Sequence, residues 1–221
     1  MLGDMSSTRH SAHLPGFRLV VVVGSLGGLP VLRTLAAGLP ASFPVPILAV
    51  LHRTATRHPG SLAALLQRDT SLPVRTATPG LSAWPPGITV IPGGACATLN
   101  DTGQLDLHPV AGRDLGGDGL LDSAAAVARP SPAIGVVLSG LLRDGAKGVR
   151  AIKRNGGRVL VQDPATARAP SMPASAIATG CVDYVLPPHR LAPALTALVM
   201  APGAASLLAV PTPHWAQLST G

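Results

Sequence analysis

The sequence predicts an α/β fold, doubly wound and Rossmann-like, with a mainly parallel sheet and a β-hairpin insertion. Three observations predict it: β-branched apolar runs of strand length alternate with helix-like stretches, the first run ends in a Gly-rich turn, and 221 residues suit one large domain. Residues 18–23, Arg-Leu-Val-Val-Val-Val, read as a buried parallel strand stopped by Gly24. The turn Gly24-Ser-Leu-Gly-Gly28 follows, then a helix over residues 31–39 closed by Pro40. The unit repeats, with a strand over residues 46–51, a loop over 52–57 and a helix over 59–68.

In the middle, residues 87–91, 95–100 and 104–108 read as short strands joined by Pro-Gly-Gly and Asp-Thr-Gly turns, the expected hairpin insertion. A Gly-rich linker over residues 112–119 leads to a helix at 120–128 and a buried strand at 133–138. Helix 144–154, strand 158–161, helix 173–179, strand 183–186 and helix 191–200 complete the pattern. The expected organisation is a flexible tail over 1–16, one domain over 17–200 and a Pro-containing tail over 201–221.

Hydrophobic residues make up 47% of the chain, charged residues 12% and aromatics 2%, so the core is built from Ala, Val, Leu and Ile and disorder throughout is excluded. The 25 Gly and 23 Pro show no triplet period, which excludes a collagen-like repeat. The formal charge of +7 comes mainly from scattered arginines. With one Tyr and two Phe there is little to stack on bases, so no nucleic-acid partner is expected; the charge is a basic solvated surface or an attraction for an acidic macromolecule.

Cys96 and Cys181 are far apart and in no ligand-like spacing, which argues against a disulfide framework or zinc site and fits a reducing cytoplasm. The polar N-terminus has no secretory h-region. Residues 191–210 carry no charge and are about long enough to span a bilayer, but Pro193, Pro202 and Gly203 favour a short helix and a Pro-broken tail, so no membrane insertion is expected.

Ligands of open parallel sheets bind beyond the carboxyl ends of the strands. There the sequence offers Ser25, His52 and Asp144. An imidazole that takes the serine proton, held in the useful tautomer by a carboxylate, is the chemistry of acyl transfer. Gly24, Gly27 and Gly28 leave room for a substrate beside the backbone, and N–H groups at the following helix start can hold an oxyanion. Each residue also has an ordinary reading: Ser25 in an anion-cradling turn, His52 as a loop histidine, Asp144 as a helix-start carboxylate. Their common position after strands favours the triad. Nucleotide binding at Gly24 to Gly28 is disfavoured, because no acidic residue suited to a ribose follows about 20 residues later.

Val23-Gly-Ser-Leu-Gly-Gly28, the His52 strand end, Pro86-Gly-Ile-Thr-Val-Ile-Pro-Gly93, Ile134-Gly-Val-Val-Leu-Ser-Gly140 with Asp144-Gly-Ala-Lys-Gly148, Val161-Gln-Asp163, Ser171-Met-Pro173 and Val182-Asp-Tyr-Val-Leu-Pro187 occur in the order of a known family. Over about residues 18–200 the chain resembles the catalytic domain of the chemotaxis protein-glutamate methylesterases (CheB). The resemblance implies a cytoplasmic, cofactor-free and metal-free serine hydrolase that demethylates glutamate γ-methyl esters on a methyl-accepting chemoreceptor-type protein. It puts the family's catalytic serine, histidine and aspartate on Ser25, His52 and Asp144, and the oxyanion and substrate loop on Gly24, Leu26, Gly27, Gly28 and Leu141.

The departures are specific. Leu26 stands where the family has Thr or Ala, the family's Gln-His-Met is Leu51-His-Arg53, and the Met-Gly before the aspartate is Leu141-Leu142. A family histidine falls near Cys96, and the family's Arg-Pro-Ser has no clear counterpart, Arg113 being close. A receiver domain ahead of the catalytic one would need about 120 more residues, so a stand-alone form is expected. The alternative is a protein-binding module of the same fold, its triad vestigial and Leu26, Leu141 and Leu142 lining a docking surface.

Overall fold

A computed structural model describes residues 16–53, 60–110, 116–201 and 203. The main sheet holds seven strands, β1 (Leu19–Gly24), β2 (Ile47–Leu51), β3 (Val74–Thr76), β4 (Ile88–Val90), β7 (Ala133–Val137), β8 (Arg158–Gln162) and β9 (Tyr184–Leu186). Their order is β3-β4-β2-β1-β7-β8-β9, and every pairing is parallel. The remaining strands, β5 (Ala95–Leu99) and β6 (Leu105–Pro109), form a separate antiparallel hairpin.

Strand β1 is central and buried on both faces, which is why it is an unbroken apolar run. Val20 and Val22 join one core layer with helices α1 (Gly28–Gly38), α2 (Ser61–Gln67) and α6 (Pro188–Met200). Leu19, Val21 and Val23 point into the other, with α3 (Gly117–Val127), α4 (Ala146–Arg154) and α5 (Ser171–Ile177). The hairpin packs its Ala97, Leu99 and Leu105 into this second layer, and the Leu99 N–H donates to Ser123 Oγ of α3 at 3.0 Å. From β1 the chain winds outward through β2 on one side and returns to β7 on the other, so the topological switch lies at β1.

The doubly wound reading holds, with two corrections. Residues 87–91, expected in the insertion, supply β4 of the main sheet, and only β5 and β6 form the hairpin. Strand β3 was not foreseen. Its three residues follow Pro73 and include Arg75, whose Nε donates to Thr89 Oγ1 at 3.0 Å; pairing with β4 makes it a strand where no apolar run announces one. Among the described residues no helix is long and apolar enough to cross a membrane, α6 ending at Met200. Both expected tails fall almost wholly outside the described residues, as do most of the expected 52–57 loop, the start of the 59–68 helix and Arg113.

Candidate active site

Three neighbouring strands, β2, β1 and β7, deliver the site. The His52 N–H donates to Gly24 O at 2.9 Å, continuing the β1–β2 ladder past the end of β2. On the other side the Leu138 N–H donates to Val23 O at 2.8 Å and the Ser25 N–H to Ser139 O at 2.9 Å. Ser25 is therefore fixed between the two neighbours at the carboxyl edge. Gly140 abuts it: a Cβ there would fall 2.8 Å from Ser25 Cβ and 2.0 Å from Met172 Sδ.

His52 and Asp144 are nearly inaccessible, with side-chain exposures of 6% and 9%, and Nε2 lies 2.7 Å from Oδ2. The approach lies off the line of the ring N–H, a looseness common in unliganded sites that a small ring rotation corrects. Nδ1 is buried with no hydrogen-bond partner. With Nε2 turned to the carboxylate, Nδ1 is the nitrogen left for a reacting group.

Asp144 is held by much more than the histidine. Oδ2 accepts from the Gly117 N–H at 2.8 Å, and Oδ1 accepts from the N–H groups of Asp118 at 2.8 Å and Gly145 at 3.0 Å. It thus caps α3 from outside that helix, while Asp118 Oδ1 accepts from the Gly148 N–H of α4 at 2.8 Å. The two helix starts hold each other's carboxylates. Burial pushes the Asp144 carboxyl up, but His52 and the amides of Asp118 and Gly117 outweigh it, and the group rests below its ordinary value. Asp118 moves the other way, because burial dominates and the Asp144 charge adds to it. Gly117 is obligatory, since a Cβ there would stand 2.4 Å from Asp144 Oδ2.

The glycines of the first turn have a different purpose from the expected one. A Cβ on Gly24 would meet Leu51 Cδ2 at 2.9 Å, on Gly27 Arg168 Cβ at 2.6 Å and Ser139 Oγ at 2.7 Å, and on Gly28 Ser139 O at 3.1 Å. Protein fills the space reserved for substrate, so these positions are glycine for packing, and Gly27 also for its φ of +81° as the α1 cap. Nor can the Gly28 amide serve an oxyanion, for it already donates to Ser25 O at 2.9 Å. The amides of Leu26, Gly27 and Leu141 donate to no described acceptor.

Leu26, Leu141 and Leu142 are 43%, 50% and 61% exposed along this edge. Leu142 has φ +70°, a left-handed backbone that a leucine adopts only with strain. Since its side chain buries little, Leu142→Gly is expected to raise stability by about 1 kcal/mol and the melting temperature by about 2–4 °C. Thermal denaturation checks this; an unchanged or lower midpoint contradicts it.

The family model described as CheB methylesterase matches residues 20–195. The chain belongs to the CheB methylesterase family. Within this CheB family, the protein-glutamate methylesterase/protein-glutamine glutaminase 3 of Anaeromyxobacter dehalogenans is 37% identical over 183 residues, 81% of this chain and 53% of that protein. The protein-glutamate methylesterase FrzG of Myxococcus xanthus is 34% identical over 194 residues, 86% of this chain and 57% of that protein. The chain spans about half the length of the curated relatives it matches. The crystal structure of the Thermotoga maritima CheB methylesterase catalytic domain superposes with a TM-score of 0.76 at 32% identity, covering 83% of this chain and 99% of that one.

Sequence reasoning missed Asp118, Ser139 and Gln162. Gln162 Oε1 accepts from the Ser139 N–H at 2.8 Å, and Ser139 Oγ donates to Leu26 O at 2.7 Å while accepting from the Ala169 N–H at 3.0 Å. This network ties the loop bearing Ser25 to β8 and to the segment before α5. For Ser139 and Gln162 the available signal was a polar residue at the end of an apolar strand run, within the CheB motifs Leu-Ser-Gly140 and Val161-Gln-Asp163.

Proposed function

We propose that the chain is a serine esterase of the protein-glutamate methylesterase type, with Ser25 as nucleophile, His52 as general base and then acid, and Asp144 as the carboxylate that orients the imidazole. The observation that carries this reading is the 2.7 Å approach of buried His52 to buried Asp144 at the strand edge that also presents Ser25. Ser25 Oγ attacks the γ-carbonyl carbon of a glutamyl methyl ester and its proton passes to His52 Nδ1. The tetrahedral oxyanion takes the amides of Leu26 and Leu141, which have no other acceptor among the described residues. Methanol leaves with the proton from Nδ1; water, deprotonated by Nδ1, then attacks the acyl-enzyme and frees glutamate and Ser25. Side chains, backbone amides and water complete this chemistry.

The substrate in this reading is a methyl-accepting chemoreceptor-type protein, whose acidic surface suits a chain of charge +7. A cytoplasmic location goes with it, in keeping with Cys96 and Cys181, which form no disulfide. Relatives such as that of Anaeromyxobacter dehalogenans also carry the name protein-glutamine glutaminase. The same acyl-enzyme forms from glutamine with ammonia leaving, so deamidation is a second reading of one site. Incubation with a methyl-esterified receptor fragment is expected to release methanol in proportion to the esters lost. Binding of the fragment without methanol release would favour the module reading, with exposed Leu26, Leu141 and Leu142 as the docking surface.

A further inference from the structure

Beside His52 the structure holds a cation with no counter-charge among the described residues. Arg53 follows the catalytic-site histidine, its carbonyl fixed by the Gly94 N–H at 2.9 Å. Its Nε and Nη2 are both buried and have no hydrogen-bond partner among the described residues. Buried polar groups are nearly always paired, and a buried charge without a counter-ion costs more than any neutral group. Burial lowers the guanidinium pKa, with no carboxylate raising it again.

Arg53 lines a pocket of about 540 Å³, with Leu29, Ser61, Leu62, Leu65 and Arg68 among its other walls. Arg53 directly follows His52, and Leu29 lies in the first turn of α1, four residues after Ser25, so two of the pocket's walls are close chain neighbours of the site. No lining residue is acidic. Asp69, next to Arg68, is held by Arg33 through contacts of 2.6 Å and 2.9 Å. Among its described lining residues the pocket thus offers two cations, a hydroxyl and aliphatic walls, and no carboxylate.

We propose that this pocket is a specificity subsite for a second, unesterified glutamate side chain of the protein substrate, its methylenes against Leu29, Leu62 and Leu65 and its carboxylate on Arg53, with Arg68 as the outer charge. The proposal rests on the esterase reading above and adds the neighbouring residue that the enzyme recognises. A glutamate fits better than a bare anion because the walls are apolar below the charge. The guanidinium stands where the family pattern has methionine, so this preference distinguishes the chain from relatives with that pattern.

Two helical peptides test it, each with one glutamate γ-methyl ester, flanked in one by glutamates and in the other by glutamines. The wild-type protein is expected to hydrolyse the glutamate-flanked peptide with a kcat/KM about tenfold higher, mainly through KM. In Arg53→Met the preference should collapse towards unity, and Arg53→Lys should recover part of it. Equal rates on both peptides with wild-type protein, or an undiminished preference in Arg53→Met, overturn the subsite while leaving the esterase intact. Hydrolysis of neither peptide overturns the esterase reading itself, and the subsite with it. The wild-type comparison stands whether or not the variants fold.

Discussion

Replacing Ser25 with alanine is expected to lower kcat for glutamyl methyl ester hydrolysis by about 10⁴ to 10⁶. His52→Ala should cost a similar factor, and the double variant little more, because nucleophile and base act in one step. The reason is local. A serine hydroxyl is a poor nucleophile unless a neutral imidazole takes its proton, and Nδ1 of His52 is a buried ring nitrogen with no competing partner. Neither substitution disturbs the ladder bonds of the edge, which run through the backbone of Gly24, Ser25 and His52. Folding should therefore survive both, with a melting temperature near that of the wild type in Ser25→Ala and a lower one in His52→Ala, which empties a buried site and takes a partner from Asp144. Near-normal turnover in Ser25→Ala would point to another nucleophile. Cys96 is the first to examine, a half-buried thiol on β5 beside Gly116.

Asp144→Asn is expected to cost about 10⁴ in kcat and, unlike the serine change, to cost stability too. The carboxylate accepts from three backbone N–H groups and faces His52. An amide has one oxygen and one NH₂. If the oxygen keeps Asp118 and Gly145, the NH₂ confronts the Gly117 N–H and the imidazole. His52 Nε2 then becomes the acceptor, Nδ1 carries the proton, and the base is lost to the wrong tautomer. The Gly117 amide is left without an acceptor, which costs about 1–3 kcal/mol and lowers the melting temperature by several degrees.

The pH dependence has a definite sign. The folded Asp144 value lies below the unfolded one of about 3.9, so its stabilisation is complete above that value and lost as pH falls through the folded value. Asp144→Asn should remove this acid-side loss. Chemical denaturation of both proteins between neutral pH and pH 3 measures it, and an identical acid dependence in the two would contradict the role given to Asp144.

Much of this was legible because parallel sheets write themselves as apolar runs. Leu19–Gly24, Ile47–Leu51 and Ala133–Val137 are apolar runs buried from end to end. Since ligands sit beyond the strand ends, the same runs pointed to Ser25, His52 and Asp144. Strand β3 was illegible for the opposite reason: Val74–Thr76 is short, half-buried and at the sheet edge, so its pairing with β4 decides its conformation.

At the site, residue types were readable but their employment was not. The glycines of the Ser25 turn suggested room for substrate, yet a glycine in sequence does not say whether the vacant volume belongs to ligand or protein. Here Leu51, Leu138, Ser139 and Arg168 occupy it. Asp144 invited two readings, a helix-start carboxylate and the partner of a histidine. Both are realised at once, since its two oxygens serve the starts of α3 and α4 and the imidazole together. The solitude of Arg53 needs coordinates, because an unpaired charge is a property of its surroundings.

The most direct test of an activated Ser25 is covalent labelling of the purified protein with a fluorophosphonate, followed by mass mapping of the modified residue. One label per chain is expected on Ser25, with labelling abolished in Ser25→Ala and greatly slowed in His52→Ala and Asp144→Asn. A folded wild-type protein that takes up no label, or carries it at another residue, would contradict it.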